Sequence, residues 1–180
     1  MKTKLWFMLL LLSFALNINA QNDSIIRVTK YSVLDSQKGT VIKFVDKKMK
    51  NIIYNNPTFG VNNSIRTFIK DGGNTYFLLI EFPKRVMIEY SDLVEVNKAF
   101  EKMFKEVDSD CALNPDYLEN KYITEDGFEI GYYIKKGKPN WFIDSDIYSL
   151  AGFVEVKKPY EFSKGLKDAQ NEIETMRNGK

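Results

Sequence analysis

Residues 68–77 read FIKDGGNTYF, and residues 133–142 read YIKKGKPNWF. The pattern recurs 65 positions on: Ile69 aligns with Ile134, Lys70 with Lys135, Gly72 with Gly137, Tyr76 with Trp141 and Phe77 with Phe142. Each copy carries an apolar, aromatic run into a glycine-bearing corner and out again. That is the signature of a β-hairpin. One added residue brings a second alignment into phase: Ile88 with Val154, Glu89 with Glu155, Val96 with Phe162, Phe100 with Leu166 and Val107 with Ile173. A hairpin, a further strand or two and a helix are thus expected twice, in units spanning 53–110 and 118–177.

The helical parts are legible from their stripes. Leu93, Val96, Phe100, Met103 and Val107 step by three and four, which is one apolar face of a helix. Asp92 with Glu95 has capping-box spacing and marks its start, and the end is expected near Asp108–Asp110. Phe162, Leu166, Ala169, Ile173 and Met176 repeat the stripe from about Tyr160 to Met176. The β-rich runs IIRVTKYSVL (25–34) and TVIKFV (40–45) read as N-terminal strands, and NNPTFGVNN (55–63) as a loop. One unit alone has a single apolar helix stripe and one apolar sheet face, a small basis for a core. Two units can close one core between them. The expected fold is therefore α+β: antiparallel sheet or sheets covered by two amphipathic helices, in one globular domain over 21–180.

The first twenty residues, MKTKLWFMLLLLSFALNINA, have the layout of a secretory signal peptide. Lys2 and Lys4 give a basic start, an apolar run follows from Leu5 to Leu16, and a polar stretch ends in Ala20. The run is short for a membrane span, which needs about 20 apolar residues. Cleavage before Gln21, no transmembrane segment thereafter, and a periplasmic or extracellular location are expected. Of the 26 basic residues two lie in this leader, which leaves 24 against 24 acidic residues. A neutral chain lacks the field that draws proteins to nucleic acid. Within KFVDKKMK (43–50), Asp46 interrupts the lysines, and a solvated face is expected.

Several chemistries fall away on composition. Histidine is absent, which excludes Ser–His and Cys–His nucleophile pairs and His-ligated zinc. Cys111 is the sole cysteine, so no intramolecular disulfide forms. The tripeptide DSD occurs at 108–110 and 144–146, but neither copy continues as a calcium loop: Ala112 and Leu113, or Tyr148 and Ser149, occupy the fifth and sixth positions. No metal and no cofactor are expected. No nucleophile elbow, phosphate loop or metalloprotease helix is present. Glu125, Asp126 and Glu129 sit in or beside a hairpin turn and are the candidates for a paired-carboxylate hydrolase. The leading expectation assigns no catalytic residue.

The aromatics point to binding instead. In EIGYYIKK, Ile130, Tyr132 and Ile134 share one strand face, and Glu129, Gly131, Tyr133 and Lys135 the other. If the first face is core, Tyr133 stands outside, with Trp141 expected near it across the hairpin. Tyr and Trp on an exposed strand face anchor protein or sugar ligands. Tyr133 and Trp141 are therefore the expected ligand-binding residues, for a protein, peptide or glycan.

The leader ending NINA and the Lys-, Asn-, Ile-, Tyr- and Phe-rich chain after it resemble small exported proteins of Bacteroidota, most of which have no known function. The resemblance implies export. The repeated strands-then-helix layout is also similar to PUR-type nucleic-acid-binding repeats. Neutral charge and export set the nucleic-acid function of those repeats aside. The reading is thus an exported non-catalytic binding module, with a cell-envelope hydrolase as the alternative.

Overall fold

The computed structural model describes residues 29–37, 39, 41–49, 62–70, 72–81, 85–144 and 154–179. The expected leader lies outside them, as do residues 25–28 of the first expected strand and most of the 55–63 loop. A short helix, α1 (Lys30–Asp35), comes first. Strands β1 (Lys43–Lys48), β2 (Asn62–Ile69), β3 (Thr75–Glu81) and β4 (Arg85–Glu89) then form an antiparallel sheet in chain order, followed by helix α2 (Tyr90–Ala112). The order repeats: β5 (Leu118–Ile123), β6 (Glu129–Lys135), β7 (Lys138–Asp144) and β8 (Val154–Glu155) form a second four-stranded antiparallel sheet, and helix α3 (Pro159–Asn178) follows. The architecture is α+β.

The two sheets share one register. In the first, Thr67 faces Tyr76 and Phe77 faces Glu89. In the second, Tyr132 faces Trp141 and Phe142 faces Glu155. These pairs correspond at the offset of 65 read from the hairpin motif, with one more residue at the last strand. The corners correspond as well. Gly72 (φ 86°) and Gly137 (φ 69°) take the same left-handed position, where a Cβ is costly. Lys136 (φ 54°) joins Gly137 in a two-residue turn of the type that matches strand twist.

Among the described residues, most buried apolar side chains join one cluster, and Phe68, Phe77, Leu79 and Phe142 are buried outside it. Ile65, Leu78, Ile80 and Ile88 of the first sheet meet Ile130, Tyr132, Ile134 and Ile143 of the second, with Leu93, Val96 and Phe100 of α2 and Phe162, Leu166 and Ile173 of α3 between them. Burying each such side chain contributes roughly 1.5–3 kcal/mol. The helices reach across the halves. Phe100 and Phe104 of α2 each lie 5.0 Å from Trp141 of the second sheet, and Asp110 accepts a 2.6 Å hydrogen bond from Tyr132 Oη. In return the Met176 carbonyl of α3 accepts from Tyr76 Oη of the first sheet (3.5 Å), and Glu172 pairs with Lys47. Neither half therefore closes its core alone.

Four expectations need correction. Residues 30–34, expected in a strand, are helical in α1. Thr29 Oγ1 accepts from Ser32 N–H at 3.0 Å, both Asp126 carboxylate oxygens accept from Lys30 N–H at 3.0 and 3.1 Å, and Tyr31 seats its ring against Phe77. These anchors override the β propensity of the segment. Helix α2 starts at Tyr90 with Glu89 as its N-cap, so Asp92 lies within the first turn and makes no capping box, and its Oδ1 instead pairs with Lys30 Nζ at 2.8 Å. Strand pairing begins at Lys43, and Val41 and Ile42, expected in the strand, lie outside it, while Thr40 lies outside the described residues. Asn62 and Asn63 belong to β2, not to a loop.

Candidate functional site

Alternation along β6 turns Ile130, Tyr132 and Ile134 inward, all fully buried, and leaves Tyr133 half-buried on the outer face. Trp141 does not join it. Tyr133 pairs with Asn140, whereas Trp141 pairs with Tyr132 and points inward. Trp141 is 7 % exposed, packed against Phe100, Phe104 and Tyr132. The expectation of one outer face carrying both Tyr133 and Trp141 is thus corrected. The turn decides it: the two-residue Lys136–Gly137 turn sets Lys135 opposite Lys138 and so Tyr132 opposite Trp141.

The aromatic neighbours of Tyr133 are Tyr117 and Phe142, each with its ring centroid 6.3 Å away. Phe142 follows from Trp141 by strand alternation once the register is right. Tyr117 precedes β5, and its approach to Tyr133 carries no sequence signal. Together with Glu119, Lys121, Glu129 and Asp144 these rings line an open groove of about 410 Å³ on the outer face of the second sheet. Gly131, between Glu129 and Tyr133 on the same strand face, pairs opposite Lys121. A Cβ at 131 would stand 2.3 Å from the Asn120 carbonyl oxygen and 2.7 Å from Lys121 Cβ, so no larger residue fits that strand crossing.

Charge in the groove is organised around Lys121. Its Nζ lies 3.0 Å from Glu129 and 3.1 Å from Glu119, and those two carboxylates, Glu129 first, raise its pKa. Glu119 also accepts from Tyr117 Oη at 2.5 Å. That bond, with help from Lys121, holds the Glu119 carboxyl below the usual range and pushes the Tyr117 phenol up.

The outer face of the first sheet is built differently. Tyr31 of α1 lies on it, 5.7 Å from the Phe77 ring and 6.2 Å from Phe44, and Phe44 meets Phe68 at 5.4 Å. Arg66 stands at the centre. It donates to both Asp46 oxygens at 2.8 and 2.7 Å and to Tyr31 Oη at 3.2 Å, with its guanidinium 5.4 Å from the Phe44 ring. The Arg66 bond holds the Asp46 carboxyl low. Lys30 ties α1 down at the edge, 2.8 Å from Asp92, 3.4 Å from Glu89 and 3.6 Å from Glu125.

The three candidate acids are not brought into one site. Glu129 lines the groove on the second sheet. Asp126 holds the start of α1 and lines a separate cleft of about 190 Å³ with Thr29, Tyr31, Arg85, Val86, Met87 and Phe128. Burial pushes the Asp126 carboxyl up, but among the described residues no second carboxylate lines that cleft. Glu125 is exposed beside Lys30. Of the DSD aspartates, Asp110 serves Tyr132, and residues 145–146 lie outside the described residues. Among the described residues no group of three or more Asp, Glu, Cys or His is placed to hold a metal ion, and no helix is long and apolar enough to cross a membrane. Cys111 is half-buried, and burial, with Asp108 and Asp110, raises its thiol pKa.

No protein-family model, no curated protein and no solved structure matches this chain.

Proposed function

We propose that this chain is an exported, non-catalytic binding module built on a duplicated four-strands-then-helix unit, and that its ligand seats on the outer face of the second sheet. The observation that carries the reading is the groove itself: Tyr117, Tyr133 and Phe142 stand against Glu119, Lys121, Glu129 and Asp144 on a sheet face whose counterpart in the first half is occupied by α1. Aromatic rings beside charged groups are the usual composition of a recognition surface. Export rests on the layout of residues 1–20, and duplication on the shared register and element order.

A hydrolase is the second reading, because Glu129 and Asp144 are direct cross-strand partners in the groove. Two features weigh against it. Glutamate 119, the third carboxyl there, is held low, the opposite of what a proton donor needs, and Lys121 pairs with both Glu119 and Glu129. The raised carboxyl, Asp126, belongs to the other cleft.

Differential capture tests the reading. Envelope extract is passed over the immobilised protein and over its Tyr133→Ala variant. A component retained by the first and lost by the second is expected. Equal retention by both sinks the proposal, and turnover of an envelope polymer that disappears in Glu129→Gln favours the hydrolase.

A further inference from the structure

Strand β5 is an edge of its sheet, with β6 on one side and no strand on the other among the described residues. Two observations fix the direction of its backbone groups. Thr124 N–H donates to the Phe128 carbonyl at 2.9 Å, and the Asn120 carbonyl stands on the β6 side beside Gly131. These groups alternate along a strand. Leu118, Asn120 and Tyr122 therefore pair with β6, while Glu119, Lys121 and Ile123 turn their N–H and C=O groups away from it. Such a row is a template for another strand. Exposed apolar side chains stand at its two ends, Tyr117 (62 %) and Ile123 (44 %).

We propose that β5 pairs with β5 of a second copy of this chain, antiparallel, about a twofold axis at Asn120. Residues opposed across two strands share a face. Glu119, Lys121 and Ile123 lie on the outer face with Tyr133, Gly131 and Glu129, and Leu118, Asn120 and Tyr122 on the inner one with Ile134, Tyr132 and Ile130. The twofold axis must therefore pass through a residue and not between two. An axis at Glu119 sets that glutamate against itself, and an axis at Lys121 does the same with a lysine. Like charges directly opposite are destabilising. An axis at Asn120 instead sets Glu119 opposite Lys121 on both sides, Leu118 opposite Tyr122, and Tyr117 opposite Ile123. One register thus matches charge to charge and covers both exposed apolar ends. In it the outward backbone groups of Glu119 and Lys121 exchange hydrogen bonds. Glu119 and Lys121 already pair within one chain at 3.1 Å, so the seam joins two such pairs into an alternating set. The two sheets become one, an isologous contact. Strand β1, the first of the other half, is charged against the same arrangement. An axis at Val45 opposes Lys43 to Lys47, and one at Asp46 opposes two aspartates. The pairing does not depend on what the groove binds.

Sedimentation velocity of the purified protein over a concentration series tests the pairing, and a monomer–dimer equilibrium that reverses on dilution is expected. Glu119→Lys and Lys121→Glu, each checked for an intact circular-dichroism spectrum, are each expected to weaken self-association roughly tenfold, because either one sets like charges opposite on both sides of the axis. Mixed in equal amounts the two variants are expected to associate again, since a lysine edge then meets a glutamate edge. Cysteines read the register. In a Cys111→Ser background, Asn120→Cys is expected to cross-link to its own counterpart on oxidation. Residues at the axis form a non-hydrogen-bonded pair about 4.5 Å apart, within disulfide reach. Glu119→Cys and Lys121→Cys in the same background are expected to stay unlinked. A protein that remains monomeric up to about 1 mM overturns the proposal. So does self-association that neither charge variant weakens, a mixture of the two that stays monomeric, or cross-linking at 119 or 121 in preference to 120.

Discussion

The first sheet carries an arginine at the centre of its outer face and the second a glycine, on frames whose strand register is otherwise shared. On the first, Arg66, Asp46 and the rings of Phe44 and Phe77 hold down α1, and the face is closed by its own chain. On the second, Gly131 lets β5 approach closely, and Tyr117, Tyr133 and Phe142 line a groove with Glu119, Lys121, Glu129 and Asp144. The inner faces, by contrast, match closely: Ile65 and Ile130 are both fully buried, and Tyr76 and Trp141 are 6 % and 7 % exposed. A shared core with divergent outer faces separates what the halves need to fold from what they are free to present.

The largest effect is expected where the difference is greatest. Gly131→Ala forces a Cβ to within 2.3 Å of a backbone oxygen, which must shift. A loss of roughly 3 kcal/mol in urea unfolding is expected, the upper end for overpacking. A loss under about 0.5 kcal/mol, the size of an ordinary surface change, would mean that β5 does not cross there as described. Arg66→Ala comes next. It breaks a two-pronged carboxylate bond, a bond to Tyr31 and a ring contact, and should cost roughly 2 kcal/mol, since its side chain is largely shielded. Arg66→Lys should recover little of this, because an ammonium cannot make the two-pronged bond.

Acid sharpens the comparison further, since each face keeps one carboxyl below its ordinary value: Asp46 through Arg66, and Glu119 through Tyr117 and Lys121. A depressed carboxylate stabilises the fold above its unfolded pKa of about 4, and that contribution is lost as pH falls through the folded value. Urea midpoints should therefore drop from pH 5 downward, and Asp46→Asn or Glu119→Gln should each flatten the acid limb. Both groups are partly solvated, so each effect is expected under about 1 kcal/mol. An acid limb unchanged in both variants would contradict these pairings. The smallest effect is spectroscopic. In a Trp6→Phe background Trp141 should emit blue-shifted light and resist acrylamide, and ready quenching would return it to the outer face.

Much of this frame was legible in the sequence. The hairpins and both long helices follow from alternation, glycine corners and three-four stripes, because each signal is local and repeated. What escaped was tertiary. The helix α1 owes its form to Asp126 and Phe77, both far along the chain, and nothing within KYSVLD announces it. Asp92 looked like a cap because its real partner, Lys30, is remote. Alternation along β6 places Tyr133, whereas the face of Trp141 depends on the length of the turn before β7, which two residues close. Tyr117 and the strand approach at Gly131 depend on how β5 crosses β6, which no spacing encodes.

The central claim is that the first outer face is closed by its own chain while the second is open for a ligand. Paired urea unfolding of Tyr31→Ala and Tyr133→Ala tests it most directly. Tyr31→Ala is predicted to cost about 2 kcal/mol, as loss of a packed aromatic anchor does, and Tyr133→Ala under about 1 kcal/mol. Equal losses, or a larger one for Tyr133, would contradict the account, because Tyr133 would then be holding the fold together rather than waiting for a partner.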